Sequence, residues 1–171
     1  SQLDEDVALV SVMLANNELG VIAPIKEMVN LAHSKGALFH SDCVQALGKF
    51  PFDLKDLNVD LASFSAHKIY SLKGSGLLYI KKGTPLSPLI FGGSQERRRR
   101  AGTENLLAIA SFSFVSQFLD PQGFVDSIRP LRDNLENFLC ENIKGVRVLG
   151  KSTARLCNTS CFMVDGLNAE S

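Results

Sequence analysis

Short apolar runs alternate with one amphipathic segment in the first half of the chain. Residues 7–15 are almost all apolar, which predicts a buried strand. Pro24 then opens a helical pattern that Gly36 ends, because proline favours the first turn of a helix and glycine its C-terminal cap. Further strands are predicted over residues 37–41, 60–65 and 76–80. This order predicts an α/β fold with a mainly parallel sheet and flanking helices.

Two longer helices are predicted in the other half of the chain. Thr103 is a suitable N-cap for an apolar helix over residues 106–119. The next helix is expected over residues 124–143, and Pro130 should kink it or restart it. Its core-facing side is expected to carry the regularly spaced residues Phe124, Ile128, Leu131, Leu135, Phe138 and Leu139.

A second structural unit is predicted at the end of the chain, with strands over residues 146–149 and 157–164. We therefore assign residues 1–120 to a large α/β domain, and residues 121–171 to a linking helix and the start of a smaller α/β domain. The chain opens without a methionine and ends abruptly at Ser171, so we expect it to be the central part of a longer protein.

The composition excludes several classes of function. The 18 basic and 18 acidic residues balance, so no overall charge favours nucleic acid, and the arginine run at residues 97–100 lacks interleaved aromatic residues. No apolar run approaches the roughly 20 residues that span a bilayer. The four cysteines have neither the spacing of a zinc site nor that of a disulfide framework. We expect a reducing cytoplasmic setting, or an organelle such as the mitochondrion.

Polar residues follow three of the predicted strands directly. They are Asn16 and Asn17 after the first strand, residues 42–45 after the second and residues 65–68 after the third. In parallel sheets, ligands bind beyond the carboxyl ends of the strands. Each cluster alone is consistent with an ordinary loop, but their common placement predicts one binding site.

Lys68 is the candidate nucleophile of this site. A lysine amine reacts with a carbonyl only when it is unprotonated, whereas a free lysine has a pKa of about 10.4. Burial or a neighbouring positive charge lowers such a pKa toward the roughly 7–8 that suits catalysis. Lys68 follows an apolar strand and lies next to His67. Taken alone, it is better explained as a solvated surface lysine, so its neighbours decide the interpretation.

Asp42, Gln45, Ser65 and His67 would complete a site for pyridoxal phosphate. The pyridine nitrogen of this cofactor requires an acidic partner, because the protonated ring is the stronger electron sink. Asp42 ends a predicted strand 26 residues before Lys68, and neighbouring strands would bring both to one edge. Gln45 could donate to the ring oxygen, and Ser65 and His67 could hold the phosphate. The structural alternatives are a capping aspartate, a surface glutamine, a turn-forming serine and a hydrogen-bonded histidine.

Four segments occur in the order and with the spacing of the signature segments of a known enzyme family. They are NNELG, HSDCVQALGK, SFSAHKIY and GGSQERRRRAGTEN. On these segments the chain resembles the NifS-like cysteine desulfurases and selenocysteine lyases, which are fold-type I, class V aminotransferase-like pyridoxal-phosphate enzymes. The resemblance runs from about residue 7 to the end of the chain and covers less than half of a full-length family member.

The resemblance implies a role for each matching residue. Lys68 would carry pyridoxal 5′-phosphate through a Schiff base and later shuttle a proton at the α-carbon of the substrate, with His67 beside it. Asp42 would pair with the pyridine nitrogen, and Gln45 would donate to the ring hydroxyl. Ser65 and His67 would bind the phosphate.

Two further roles come from the same resemblance. Asn17 would lie near the ring hydroxyl and the substrate carboxylate. Thr103 would reach across a subunit interface to the cofactor phosphate of a second copy, which implies a homodimer. No metal site is implied. The sequence departs from the family pattern around the lysine, at Ala66, Ser71 and Leu72.

The implied reaction converts L-cysteine to L-alanine and passes the sulfur to an enzyme cysteine as a persulfide. A sulfur-acceptor protein would follow, in sulfur metabolism such as iron–sulfur cluster assembly. The resemblance implies that the persulfide-forming cysteine lies on a mobile loop after Ser171, outside this chain. Cys157 and Cys161 do not match it, and in a predicted strand they suit core packing better. Cys43 is expected to be a buried apolar residue, with a reactive thiol as the alternative. Two other functions stay open: a selenocysteine lyase, and a catalytically incomplete chain that only folds or binds a partner.

Overall fold

The computed structural model describes residues 3–168, which form a four-stranded sheet with helices and a separate strand pair. The elements are β1 (Leu9–Met13), α1 (Ile25–Ser34), β2 (Leu38–Asp42), α2 (Leu54–Leu57), β3 (Leu61–Ser65), β4 (Gly76–Ile80), α3 (Gln95–Arg98), α4 (Leu106–Ser116), α5 (Pro121–Asn142), β5 (Val146–Val148) and β6 (Phe162–Val164). A 3₁₀ turn, Ala66–Ile69, follows β3 directly. The two chain ends on which we based the expectation of a longer protein lie outside the described residues.

The sheet has the predicted, mainly parallel arrangement. β1, β2 and β3 run parallel in chain order, and β4 joins β3 antiparallel at the edge. Met13 lies opposite Asp42 in the first pair, and Asp42 lies opposite Ser63 in the second. The carboxyl ends of the three parallel strands therefore open onto one edge of the sheet, where ligands bind in folds of this class.

One face of the sheet carries the hydrophobic core. α1 buries Ile25, Val29 and Ala32 at helical spacing, as its sequence pattern predicts. The sheet contributes Phe39 and Ala62, which are both fully buried. α1 packs onto β2, and this contact holds the position of the strand that ends at Asp42.

The opposite face of the sheet is open, so the prediction of a buried first strand is only half right. Leu9 is 48% and Met13 is 38% exposed, and Leu78 in β4 is 47% exposed. Val10 and Val12, which alternate with them along β1, pack against the core. The apolar residues of β1 suit burial on both faces, but no described element covers the second face.

α4 begins at Leu106 as predicted, but its N-cap is Asn105 and the prediction of Thr103 is wrong. The Asn105 side chain accepts a hydrogen bond from the backbone N–H of Ala108 at 3.2 Å. Thr103 lies exposed in the loop before the helix. The residue directly before the first helical turn can reach the free N–H groups, and Thr103 is two positions too early.

α5 is a single helix that continues through Pro130, so the predicted restart at this residue does not occur. Asp120 caps its beginning by accepting a hydrogen bond from the Gly123 N–H at 2.9 Å. Pro121 occupies the first turn, where the missing N–H of proline costs nothing. The start of the helix is therefore three residues earlier than the apolar pattern indicated.

The predicted apolar face of α5 is only half right. Phe124, Ile128 and Leu139 are half-buried, whereas the two buried residues of the helix are Val125 and the charged Glu136. Glu136 is only 2% exposed and accepts hydrogen bonds from both terminal nitrogens of Arg155, at 2.9 and 2.8 Å. Arg132 donates to the backbone carbonyl of Leu156 at 2.8 Å. These polar contacts fix the rotation of α5. They leave three apolar residues of the predicted face exposed, Leu131, Leu135 and Phe138.

The segment between the antiparallel strands β5 and β6 returns to the turn that follows β1. The Ile22 N–H donates to the Ala154 carbonyl at 2.9 Å, and the Leu156 N–H donates to the Gly20 carbonyl at 2.7 Å. Gly20 has a φ of +72°, and a Cβ built on it would lie 2.8 Å from Thr159, so only glycine fits. This contact joins the last part of the described chain to the edge of the sheet that carries the polar clusters.

Candidate functional site

The candidate site lies where β1, β2 and β3 end. Six of the seven predicted site residues lie at this edge, at the last position of a strand or in the turn that follows it: Asn17, Asp42, Gln45, Ser65, His67 and Lys68. The seventh, Thr103, lies in the loop between α3 and α4. The grouping follows from the topology, because parallel strands in register place the residues that follow them side by side.

Asp42 ends β2 with one carboxylate oxygen occupied and the other available. Its Oδ1 accepts a hydrogen bond from the Val44 N–H at 2.9 Å. Among residues 3–168, no side chain or backbone group donates to Oδ2. Asp42 is half-buried at the open face of the sheet. A carboxylate held by its own turn and free at its second oxygen can accept a hydrogen bond from a ring N–H of a bound molecule.

A histidine that the sequence analysis did not single out lies two residues before Asp42 on the same face of β2. His40 Nδ1 is 2.7 Å from Ser11 Oγ in β1, and its Nε2 is 3.1 Å from Ser63 Oγ in β3. The three side chains form a polar chain across the strands beneath the site. Strand alternation was the available signal, because residues two apart share a face and His40 therefore shares that of Asp42.

Gln45 is paired with Lys49, a residue to which the sequence analysis gave no role. The Lys49 ammonium donates a hydrogen bond to Gln45 Oε1. Burial lowers the pKa of Lys49, and the positive charge of Lys68 lowers it further. Lys49 therefore lies close enough to Lys68 for the two positive charges to interact. The signal in the sequence was the four-residue spacing, which puts both side chains on one side of a turn.

Ser65 and His67 form a hydrogen-bonded pair at the start of the 3₁₀ turn. Ser65 Oγ lies 2.7 Å from His67 Nδ1. His67 and Lys68 are exposed, whereas Ala66 and Ile69 are buried and anchor the turn. The turn thus presents the Lys68 amine to solvent, and the burial that the sequence analysis invoked for this lysine is absent.

Asn17 is exposed in a turn that Asn16 organises. Asn16 Oδ1 accepts hydrogen bonds from the N–H groups of Glu18 and Leu19, at 2.9 and 2.8 Å. Asn16 is therefore a structural residue, and the side chain of Asn17 is left facing solvent at the edge of the sheet. The turn is closed by the Gly20 N–H, which donates to the Asn16 carbonyl at 3.1 Å.

The loop that carries Thr103 has an unusual backbone. Glu96, Arg97 and Arg98 have φ values of 46°, 58° and 65°, in the left-handed region that disfavours residues other than glycine. Thr103 is exposed, and no hydrogen bond joins it to another predicted site residue within the described part of the chain. This chain alone does not bring Thr103 into the cluster.

Cys43 lies between Asp42 and Val44, and its environment makes it a packing residue. It is fully buried, and burial raises the pKa of its thiol to about 11. The carboxylate of Asp42 raises the pKa further, while a hydrogen bond with Ser41 opposes the shift. The expectation of a buried small apolar residue is confirmed, and a reactive thiol at this position is not supported.

No three His, Cys, Asp or Glu side chains among residues 3–168 lie close enough together to hold a metal ion. None of the helices in this range is long and apolar enough to cross a membrane.

The donors and acceptors at the sheet edge fit a pyridine ring that carries an aldehyde and a phosphate. An amine at Lys68, a carboxylate at Asp42 and an amide at Gln45 correspond to the aldehyde, the ring nitrogen and the ring oxygen. The Ser65–His67 pair supplies a hydroxyl and an imidazole of the type that binds phosphate. The residues present therefore suit pyridoxal phosphate.

Comparison of the sequence with known families and proteins agrees with this chemistry. A sequence model of the family described as aminotransferase class-V matches residues 1–171. A cysteine desulfurase of Cereibacter sphaeroides is 45% identical over 168 residues, which cover 98% of this chain and 43% of that protein. The chain thus spans less than half the length of the curated relatives it matches.

Two solved structures resemble the fold closely. A NifS-like protein from Rickettsia africae is 36% identical with a TM-score of 0.89, over 96% of this chain and 46% of that one. A protein described as SspA in complex with cysteine is 28% identical with a TM-score of 0.78, over 96% of this chain and 47% of that one.

Proposed function

The chain belongs to the aminotransferase class-V family, and from this membership we propose that it forms the cofactor-holding part of a pyridoxal-phosphate-dependent cysteine desulfurase. Its mainly parallel sheet has the fold-type I architecture of the NifS-like proteins. The observation that carries the proposal is the meeting of Asp42, Gln45 and Lys68 at the carboxyl edge of this sheet.

The proposal gives each group at the edge one task. Lys68 binds the cofactor aldehyde, Asp42 pairs with the pyridine nitrogen through its free Oδ2, and Gln45 donates to the ring oxygen. Bound pyridoxal phosphate would supply an electron sink for negative charge that develops at the α-carbon of an amino acid. Lys68 then moves a proton at that carbon. Asn17 lies at the same edge and contacts the substrate carboxylate.

Ser65 and His67 bind the cofactor phosphate in this proposal. When Ser65 Oγ donates to His67 Nδ1, the imidazole carries its proton on Nε2. Nε2 is then a donor for a phosphate oxygen. The exposure of His67 leaves room for this contact. His67 in this proposal is a phosphate ligand next to Lys68.

L-cysteine is the proposed substrate. The relative from Cereibacter sphaeroides is described as a cysteine desulfurase, and the SspA structure is described as a complex with cysteine. The reaction breaks the carbon–sulfur bond, transfers the sulfur to an enzyme thiolate as a persulfide and releases L-alanine. Cys43 and Cys157 are buried, and burial raises the pKa of both thiols, so neither is suited to accept sulfur. From the resemblance to the family, we place the sulfur-accepting thiol outside this chain.

The proposed assembly is a homodimer that delivers sulfur to an acceptor protein. Thr103 is exposed on a loop apart from the cluster, which suits a contact with the cofactor phosphate of a second copy. We assign residues 1–120 to the large domain, and residues 121–171 to a linking helix and the start of the smaller domain. The proposed setting is the cytoplasm or an organelle.

Turnover by the full-length protein tests the proposal. The expected result is alanine formation from L-cysteine, a visible absorption band of the cofactor-loaded protein, and loss of both in Lys68→Ala. Lys73→Ala is the matched control, because Lys73 is an exposed lysine of the same loop and has no proposed role. A colourless, folded wild-type protein would refute the proposal. A strong preference for selenocysteine over cysteine would identify a selenocysteine lyase.

The 171-residue chain needs a separate test, because it spans less than half of its relatives. We expect weak cofactor binding by this chain alone, since one face of its sheet is exposed. Tight stoichiometric binding in a titration with pyridoxal phosphate would contradict this expectation. Turnover by the full-length protein, and its absence in the short chain, would show that the short chain is catalytically incomplete.

A further inference from the structure

Gln45 and Lys49 lie in a compact turn directly after β2. The N–H groups of Ala46 and Leu47 both donate to the Cys43 carbonyl, at 3.0 and 3.2 Å, and the Lys49 N–H donates to the Ala46 carbonyl at 3.0 Å. This winding places side chains four residues apart on the same side. The Lys49 ammonium accordingly donates to Gln45 Oε1, and both side chains are half-buried.

The partner of Gln45 Oε1 determines what the rest of the amide can do. An ammonium has donors only, and a glutamine amide has one acceptor end and one donor end. Lys49 can therefore bond the oxygen of Gln45 but never its nitrogen. While that bond holds, the amide cannot flip, and its NH₂ group points away from Lys49 as a donor for another molecule.

The orientation matters because the ring oxygen of pyridoxal phosphate is an acceptor when it is ionised. A flipped amide would turn its own oxygen toward that atom and would repel it. We propose that Lys49 is a positioning residue that holds the Gln45 amide with its NH₂ group toward the ring oxygen of the cofactor. The inference rests on the proposed function and adds to it the residue that sets the polarity of one cofactor contact.

The segment around Lys49 is held in place from two sides. The Cys157 thiol lies 3.9 Å from the Lys49 carbonyl oxygen, as a long sulfur hydrogen bond. Ala46, on the same turn, is fully buried in the core. The backbone of Lys49 is thus fixed independently of its side chain, so truncating the side chain should leave the turn intact.

A double-mutant cycle in the cofactor-loaded, full-length protein tests the inference. The variants are Lys49→Met, Gln45→Leu and the double variant, with Lys49→Arg as the conservative control. The readouts are the dissociation constant of pyridoxal phosphate and the pH midpoint of the visible absorption band. Both are measured without turnover, and amide orientation is not visible at ordinary crystallographic resolution.

Lys49→Met and Gln45→Leu should each weaken cofactor binding about tenfold, as expected for one hydrogen bond to a charged group. Each should raise the pH midpoint, because a ring oxygen without a donor holds a proton more tightly. In the Gln45→Leu background, Lys49→Met should cause no further change in cofactor binding or in the pH midpoint. Lys49→Arg, which still donates to Oε1, should keep the dissociation constant and the pH midpoint close to those of the wild type.

Two results would overturn the inference. The first is a pH midpoint of the absorption band that is unchanged in Lys49→Met but shifted in Gln45→Leu. The second is a full further shift when Lys49→Met is added to Gln45→Leu, which would mean that Lys49 acts through its charge near Lys68. Should Lys49→Met fail to fold, Lys49→Ala removes the same bond. A wild-type protein without a visible band would refute the proposed function instead, so the two failures are distinguishable.

Discussion

Asp42 lies directly opposite Ser63 in the parallel pair of β2 and β3, and Lys68 follows Ser63 by five residues. This register places a carboxylate with one free oxygen and an exposed amine at the same edge of the sheet. Asp42 ends β2 and Lys68 lies in the 3₁₀ turn that follows β3, so the parallel topology brings the two groups to the same edge. This placement is the structural basis of the proposed cofactor site.

Asp42→Asn separates the proposed electrostatic role of Asp42 from its structural one. An asparagine keeps the oxygen that accepts from the Val44 N–H, so the turn should persist. The negative charge at the second oxygen is lost, and we expect kcat to fall about 100-fold, the equivalent of roughly 2–3 kcal/mol. Steady-state kinetics together with the melting temperature measure this. An unchanged kcat in a folded variant would remove Asp42 from the site.

The buried pair of Arg155 and Glu136 should dominate the stability of α5. The two side chains are 4% and 2% exposed, so removing one partner leaves an uncompensated buried charge. Arg155→Met should lower the free energy of unfolding by about 3–5 kcal/mol in urea denaturation. Arg147→Met breaks the exposed pair with Asp165 and should cost less than about 1 kcal/mol. Equal losses in the two variants would contradict the assignment.

The carboxylate of Glu136 should make the stability of the protein depend on pH. The hydrogen bonds from Arg155 lower the pKa of Glu136 in the folded state. Such a group stabilises the fold above its unfolded pKa of about 4.3, and the contribution is lost as the pH falls through the folded pKa. The difference in unfolding free energy between wild type and Glu136→Gln should therefore be largest near neutral pH and shrink below about pH 4. A constant difference across this range would be inconsistent with the pair.

Cys43 should resist alkylation in the folded protein. Its pKa of about 11 leaves very little thiolate at neutral pH, and burial excludes the reagent. Peptide mapping after iodoacetamide treatment should show Cys43 labelled more than about 100-fold more slowly than a free thiol. Cys140, which is exposed among the described residues, is the internal control. Equal labelling of the two cysteines would restore the idea of a reactive thiol beside Asp42.

The sequence was sufficient for the sheet and for the placement of the site residues near its edge. The apolar run before Asn16 and the strand that ends at Asp42 specify the order of a parallel sheet. Ser65 and Lys68 follow the third strand in the same way. These features are readable because strand pattern and connection length are local properties of the chain.

Two features could not be predicted because they depend on partners distant in the sequence. The burial of Glu136 on α5 is understandable only with Arg155 in place. The exposure of Leu9 depends on what covers the second face of the sheet. The cap of α4 is a local feature that was readable from the sequence, because Asn105 directly precedes the predicted first helical residue, Leu106.

Borohydride reduction of the cofactor-loaded, full-length protein, followed by peptide mapping, tests whether Lys68 carries the cofactor. The reduction makes the bond between a lysine and the cofactor permanent, so mass spectrometry identifies the lysine. We expect a phosphopyridoxyl group on the peptide that contains Lys68 and none on the nearby Lys49. A label on Lys49 or on another lysine, or no label in a coloured protein, would contradict this expectation.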